Sequence, residues 1–99
     1  MDYHLGRLIQ AIDQLGQSKE TIIAFSSETG PEDIHVVNAT HSGVGSSGPL
    51  RGRKRSLYEG GVRVPFIVRW EEHIPSGTVD TKSIVSAVDL LPTFCSLAG

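Results

Sequence analysis

Between Ser26 and about Gly61 the chain loses every hydrophobic period, and this gap constrains the fold more than any other feature. Gly, Ser, Pro, Asn and Asp dominate it, and basic residues gather towards its end. Connections of such length without regular structure are uncommon inside a compact domain unless they carry function or are disordered. The tip, Gly43-Val44-Gly45-Ser46-Ser47-Gly48-Pro49, is dense in turn formers.

Regular elements are expected on both sides of the gap. Leu5, Leu8, Ile9, Ile12 and Leu15 recur at spacings of three and four, which predicts an amphipathic helix near residues 2–15. Asp2 suits its start and Gly16 its end. Thr21-Ile22-Ile23-Ala24-Phe25 is apolar and rich in β-branched residues, the pattern of a strand covered on both faces. A second strand is expected between Val62 and Trp70, strongest over Val64–Val68, with Pro65 at its start or at an unpaired position. Pro75-Ser76-Gly77 marks a turn, and Ser83–Ser86 is expected as a short third strand. Asp89 then reads as the N-cap of a last helix, with Pro92 in its first turn and Leu90, Leu91, Phe94 and Leu97 as its apolar face. Helix followed closely by buried strand is an α/β signature.

A length of 99 residues allows one small domain. The net charge of −2 gives no whole-molecule attraction to nucleic acid. No apolar run approaches a membrane span, and Met1-Asp2-Tyr3-His4 does not open a signal peptide. Cys95 is the only cysteine, so no disulfide framework forms within the chain. On the apolar side of the last helix it reads as a small buried hydrophobe.

Four stretches together resemble the sulfatase family of the alkaline-phosphatase-like superfamily. The most specific runs from Gly48 to Pro65 and keeps the pattern K-x-x-x-Y-E-G-G-x-R-x-P from Lys54 onward. Phe25-Ser26-Ser27-Glu28-Thr29-Gly30-Pro31 resembles the strand-end motif T-S-D-N-G-P. Asp89-Leu90-Leu91-Pro92-Thr93 through Leu97-Ala98-Gly99 resembles a D-x-x-P-T…L-A-G helix, and the opening helix fits the element before the first strand. The resemblance covers nearly the whole chain in order and spacing. It implies an α/β fold with a mainly parallel sheet flanked by helices. It further implies that residues 1–99 are a partial catalytic domain whose partner is the rest of that domain. Members are often exported, periplasmic or lysosomal.

Two departures stand out. Glu28 and Thr29 replace the Asp-Asn pair that in the family helps hold a divalent cation, usually calcium. The C-x-P-S-R motif, whose cysteine becomes formylglycine, is absent, so formylglycine is not possible in this chain and no nucleophile is assigned. The resemblance makes Lys54 the residue that contacts the substrate sulfate and offsets charge near the leaving oxygen. It makes Glu28 and Thr29 the metal-side residues, an acid of longer reach beside a neutral hydroxyl. Read from composition alone, Arg51, Arg53, Lys54 and Arg55 are a solvated basic patch, and only Lys54 is lifted out of it by the motif. Gly60 and Gly61 suit unusual backbone angles, Glu59 and Arg63 can pair, and Tyr58 packs. His35 and His41 are loop or rim residues without a zinc-ligand pattern. The implied activity is hydrolysis of sulfate esters, with the isolated chain inactive. The alternatives are a phosphoester or phosphonate hydrolase of the same superfamily, a non-catalytic homologue that binds sulfated glycans, and a truncated product with no function of its own.

Overall fold

The computed structural model describes residues 1–32 and 45–99. The elements follow in the order α1 (Asp2–Gln14), β1 (Ile23–Ser26), α2 (Glu59–Val62), β2 (Phe66–Arg69) and α3 (Ala87–Ala98).

Helix α1 forms where the apolar period predicts it. Its N-cap is Met1, which makes no side-chain capping bond, and Asp2 lies inside the first turn. There the carboxylate faces the positive end of the helix dipole. Gly16 ends the helix with φ of 66°, donating to Asp13 O at 3.0 Å while Gln17 donates to Ile12 O at 3.1 Å. These two bonds are the paired closure of a Schellman motif, which needs the left-handed residue that Gly supplies without strain.

β1 and β2 pair antiparallel, with Ile23 opposite Arg69 and Ser26 opposite Phe66. The expected parallel pairing is not found between these strands. A parallel pair needs a crossover that carries the chain to the opposite end of the sheet. Here the connection leaves and returns at the same end. Gly30 N–H donates to Gly61 O at 2.8 Å, and Ser26 Oγ donates to Pro65 O at 3.0 Å. Pro65 sits just before β2, where its missing N–H removes no ladder bond.

Ser83–Ser86 does not form the expected strand. The backbone donors at its two ends are captured by nearby aspartates. Lys82 and Ser83 N–H bond to Asp80 Oδ1 at 2.7 and 3.0 Å, and Ser86 N–H bonds to Asp89 Oδ2 at 2.8 Å. Asp89 is therefore not the N-cap of α3. Ser86 is, and Asp89 is the third helical residue of a capping box. The helix starts earlier than its apolar face suggests, so Pro92 falls inside it rather than in the first turn.

No hydrophobic side chain among the described residues is buried. Gly60, Gly61 and Ser18 are the covered positions. Cys95 is exposed rather than buried, because no described element lies over that face of α3.

Candidate functional site

The site is built where β1 ends. Leaving Ser26, the chain runs through Ser27, Glu28 and Thr29 to Gly30-Pro31, and the 50–61 segment docks against it. Three glycines make the docking possible. A methyl group on Gly30 would sit 1.9 Å from Gly60 O; on Gly60, 2.1 Å from Gly52 O; on Gly61, 2.2 Å from Ser56 O. None of the three has positive φ. Gly60 and Gly61 are thus required for close backbone approach, and the expected need for unusual backbone angles does not apply. They lie in the one-turn helix α2, spanned by the Glu59–Arg63 ion pair at 3.5 Å.

Docking brings Lys54 to Glu28. The ammonium Nζ donates to Glu28 Oε1 at 2.7 Å, with the lysine side chain 33% exposed and the glutamate 77%. The bond from Lys54 holds the Glu28 carboxyl below its usual range, and the same bond raises Lys54 above its own. Both groups are charged at neutral pH. An ion pair this open to water adds little to stability. Its importance is positional, because it fixes where a cationic point charge lies relative to the strand end.

Thr29 lines a cleft of about 420 Å³ with Ser27, Gly30, Ser47, Leu50 and Arg63 among its walls; neither Glu28 nor Lys54 lines it. Two of the three expected site residues, Glu28 and Lys54, are thus brought together, while Thr29 faces a neighbouring hollow. Arg51 stacks over the Tyr58 ring at 3.9 Å from its centroid, which accounts for both side chains as a packed cation–π pair. His35 and His41 lie outside the described residues.

A hard cation takes six to eight oxygen ligands. Glu28 and Thr29 offer donors of the right chemistry, one carboxylate and one hydroxyl. Among the described residues no three His, Cys, Asp or Glu side chains converge, and Glu28 Oε1 already accepts from Lys54. These residues fit the edge of a cation site and do not complete one.

One residue of the arrangement escaped sequence reasoning. Glu32 accepts from Arg53 Nε through its backbone oxygen at 2.8 Å and from Arg55 Nε through its carboxylate at 3.1 Å. The available signal was an acid shortly after Gly30-Pro31 facing a run of three basic residues.

No described helix is long and apolar enough to cross a membrane. The family model described as Sulfatase matches residues 1–99. Human arylsulfatase A is 41% identical over 99 residues, covering all of this chain and 18% of the relative. Mouse steryl-sulfatase is 40% identical over 102 residues, with 16% of it covered. Mouse N-acetylgalactosamine-6-sulfatase is 36% identical over 99 residues, with 18% covered. The chain spans less than a fifth of the length of each of these curated relatives.

Proposed function

The chain belongs to the sulfatase family, and from that premise we propose that the protein carrying it hydrolyses sulfate esters, with Lys54 binding an anionic sulfate oxygen. The observation that carries this reading is Lys54 itself. It stands in the intact K-x-x-x-Y-E-G-G-x-R-x-P pattern, its ammonium is partly open to solvent, and an acid fixes it at the end of β1. Ligands of α/β sheets gather at strand ends of this kind. A compact ammonium suits a sulfate oxygen, and a charge already in place where negative charge develops lowers a barrier without reorganisation.

Glu28 and Thr29 would hold the edge of a divalent cation site, most naturally calcium given their oxygen donors, with the remaining ligands outside the described residues. When bound, the cation supplies positive charge to the sulfate. In the complete domain, β1 and β2 would belong to a larger, mainly parallel sheet flanked by helices. The 99-residue chain by itself contains no C-x-P-S-R motif and is expected to turn over no sulfate ester.

The test is Lys54→Met in the protein purified whole from its own gene, assayed on an aryl sulfate. We expect kcat/KM to fall by roughly 100-fold or more, as for loss of a group that stabilises transition-state charge. Unchanged turnover would remove Lys54 from the site. Faster hydrolysis of a phosphate monoester or phosphonate than of the sulfate would move the protein to that neighbouring class. Retained binding of sulfated glycans without turnover would make it a non-catalytic homologue.

A further inference from the structure

We infer that Glu32, gripping Arg53 and Arg55, is a positioning residue that sets the direction of the Lys54 ammonium. The inference rests on the reading of Lys54 as the sulfate-contacting group and adds the device that holds it.

Three consecutive residues are anchored to two. Arg53 Nε donates to Glu32 O at 2.8 Å. Lys54 N–H donates to Pro31 O at 2.8 Å. Arg55 Nε and Nη2 reach the two carboxylate oxygens of Glu32 at 3.1 and 3.4 Å. Arg53 Nη2 also donates to Gly45 O at 3.1 Å, so one guanidinium ties Glu32 to Gly45. A forked guanidinium–carboxylate pair is directional as well as attractive, because both oxygens and both nitrogens must lie in register. The Glu32 side chain is 19% exposed, so its carboxylate is held closer to the protein than that of Glu28, which is 77% exposed.

The backbone carries independent evidence of constraint. Arg55 has φ of 76°, in the left-handed region that a residue with a Cβ rarely occupies. Such a conformation persists only where surrounding contacts over-determine it. Here the Ser56 N–H to Arg53 O bond at 3.1 Å closes a turn that puts Arg55 at this angle, and the Lys54–Pro31 bond and the Arg55–Glu32 fork hold that turn against the end of β1. Lys54 stands between two arginines that are both turned to Glu32, while its own side chain runs to Glu28. The turn bond keeps the backbone of Lys54 and Arg55 in place, and the Glu32 carboxylate fixes the Arg55 side chain beside it; without that carboxylate the turn would lose its side-chain anchor to the β1 end, and the lysine side chain its fixed starting point.

The experiment uses the protein purified whole from its own gene, with inorganic sulfate as probe and two readouts. One is the nuclear Overhauser contact between the Lys54 ε-methylene and the Glu28 γ-methylene; the other is sulfate affinity by calorimetry. Glu32→Ala is expected to abolish the contact and weaken sulfate binding roughly tenfold, because it removes a charge-assisted pair. Glu32→Asp should restore part of both. In a Lys54→Met background Glu32→Ala should cost nothing further in sulfate affinity, since coupled residues act non-additively. If Glu32→Ala prevents folding, Arg55→Gln serves instead, because it releases the charged fork and keeps a side chain with a Cβ at the left-handed angle. It should give the same loss of contact. A contact and an affinity that survive Glu32→Ala or Arg55→Gln overturn the inference, as does an equal weakening with and without Lys54. Loss of the contact in Glu32→Ala, together with unaltered sulfate affinity in Lys54→Met, leaves the clamp standing and removes the sulfate reading.

Discussion

At the scale of single residues the site is a problem of clearance before it is one of charge. Gly30, Gly60 and Gly61 let three backbone segments touch, and the Glu28–Lys54 bond depends on that contact. Gly30→Ala would place its methyl group 1.9 Å from the Gly60 carbonyl oxygen, where backbone rather than a pliable side chain must yield. Overpacking of this kind typically costs about 1–3 kcal/mol. The expected outcome is a lower thermal midpoint of the whole protein and faster amide exchange at Gly30, whose N–H bonds Gly61 O. Unchanged exchange would mean that the approach relaxes freely. The sequence makes these glycines conspicuous but suggests the wrong reason. A Gly-Gly pair signals either positive φ or close approach, and only coordinates distinguish the two. Lys54 was legible because a long motif singled it out from its basic neighbours. Glu32 was not, because a single acid in an aperiodic loop has no period to stand out from.

At the scale of elements, hydrophobic spacing was a good guide where the chain supplies its own period, and a poor one where polar side chains capture the backbone. Helix α1 and both strands fall close to their expected places. The Ser83–Ser86 segment shows the competing effect. Its β-branched pair, Ile84-Val85, reads as a strand, yet Asp80 and Asp89 take the backbone donors on either side. Side chains of this kind offer the backbone a local alternative to a ladder. Asp80 also carries a pH signature. Bonds from the Ser83 hydroxyl, then from the Ser83 and Lys82 amides, pull its pKa from 3.8 down to about 2. A carboxylate depressed on folding contributes stability that is present above its unfolded value and lost as pH falls through the folded one. The turn's contribution to stability should therefore be whole above about pH 4 and decline below it, with the Asp80 carboxylate itself half protonated only at about pH 2. The Lys82 and Ser83 amide shifts should titrate together with a midpoint near the lower value; a common midpoint near 3.8 would show that these bonds do not form in solution.

At the scale of the whole molecule, good local structure coexists with almost no core. The described residues bury no hydrophobic side chain, and among the described elements only the two strands are in mutual backbone contact. Val88 and Leu91 on α3 are 78% and 72% exposed, and Leu15 on the end of α1 is 74% exposed. The radius of gyration is 16.3 Å, against about 13 Å for a compact domain of about 100 residues. Burial of apolar area is the main favourable term in folding, and it must offset a conformational entropy cost of about 1–2 kcal/mol per ordered residue. Caps, turns and open ion pairs contribute too little to do that. The amphipathic pattern that made α1 and α3 legible is thus a statement about surfaces awaiting cover, consistent with a chain spanning less than a fifth of its relatives' length. The 99-residue polypeptide expressed alone should bind a dye specific for exposed apolar surface and should melt gradually in calorimetry, without a sharp heat-absorption peak. A single cooperative transition, with the calorimetric and van't Hoff enthalpies equal, would show that the chain finds a core of its own. In that case the uncovered faces of α1 and α3 would have to pack against each other or against a second copy of the chain.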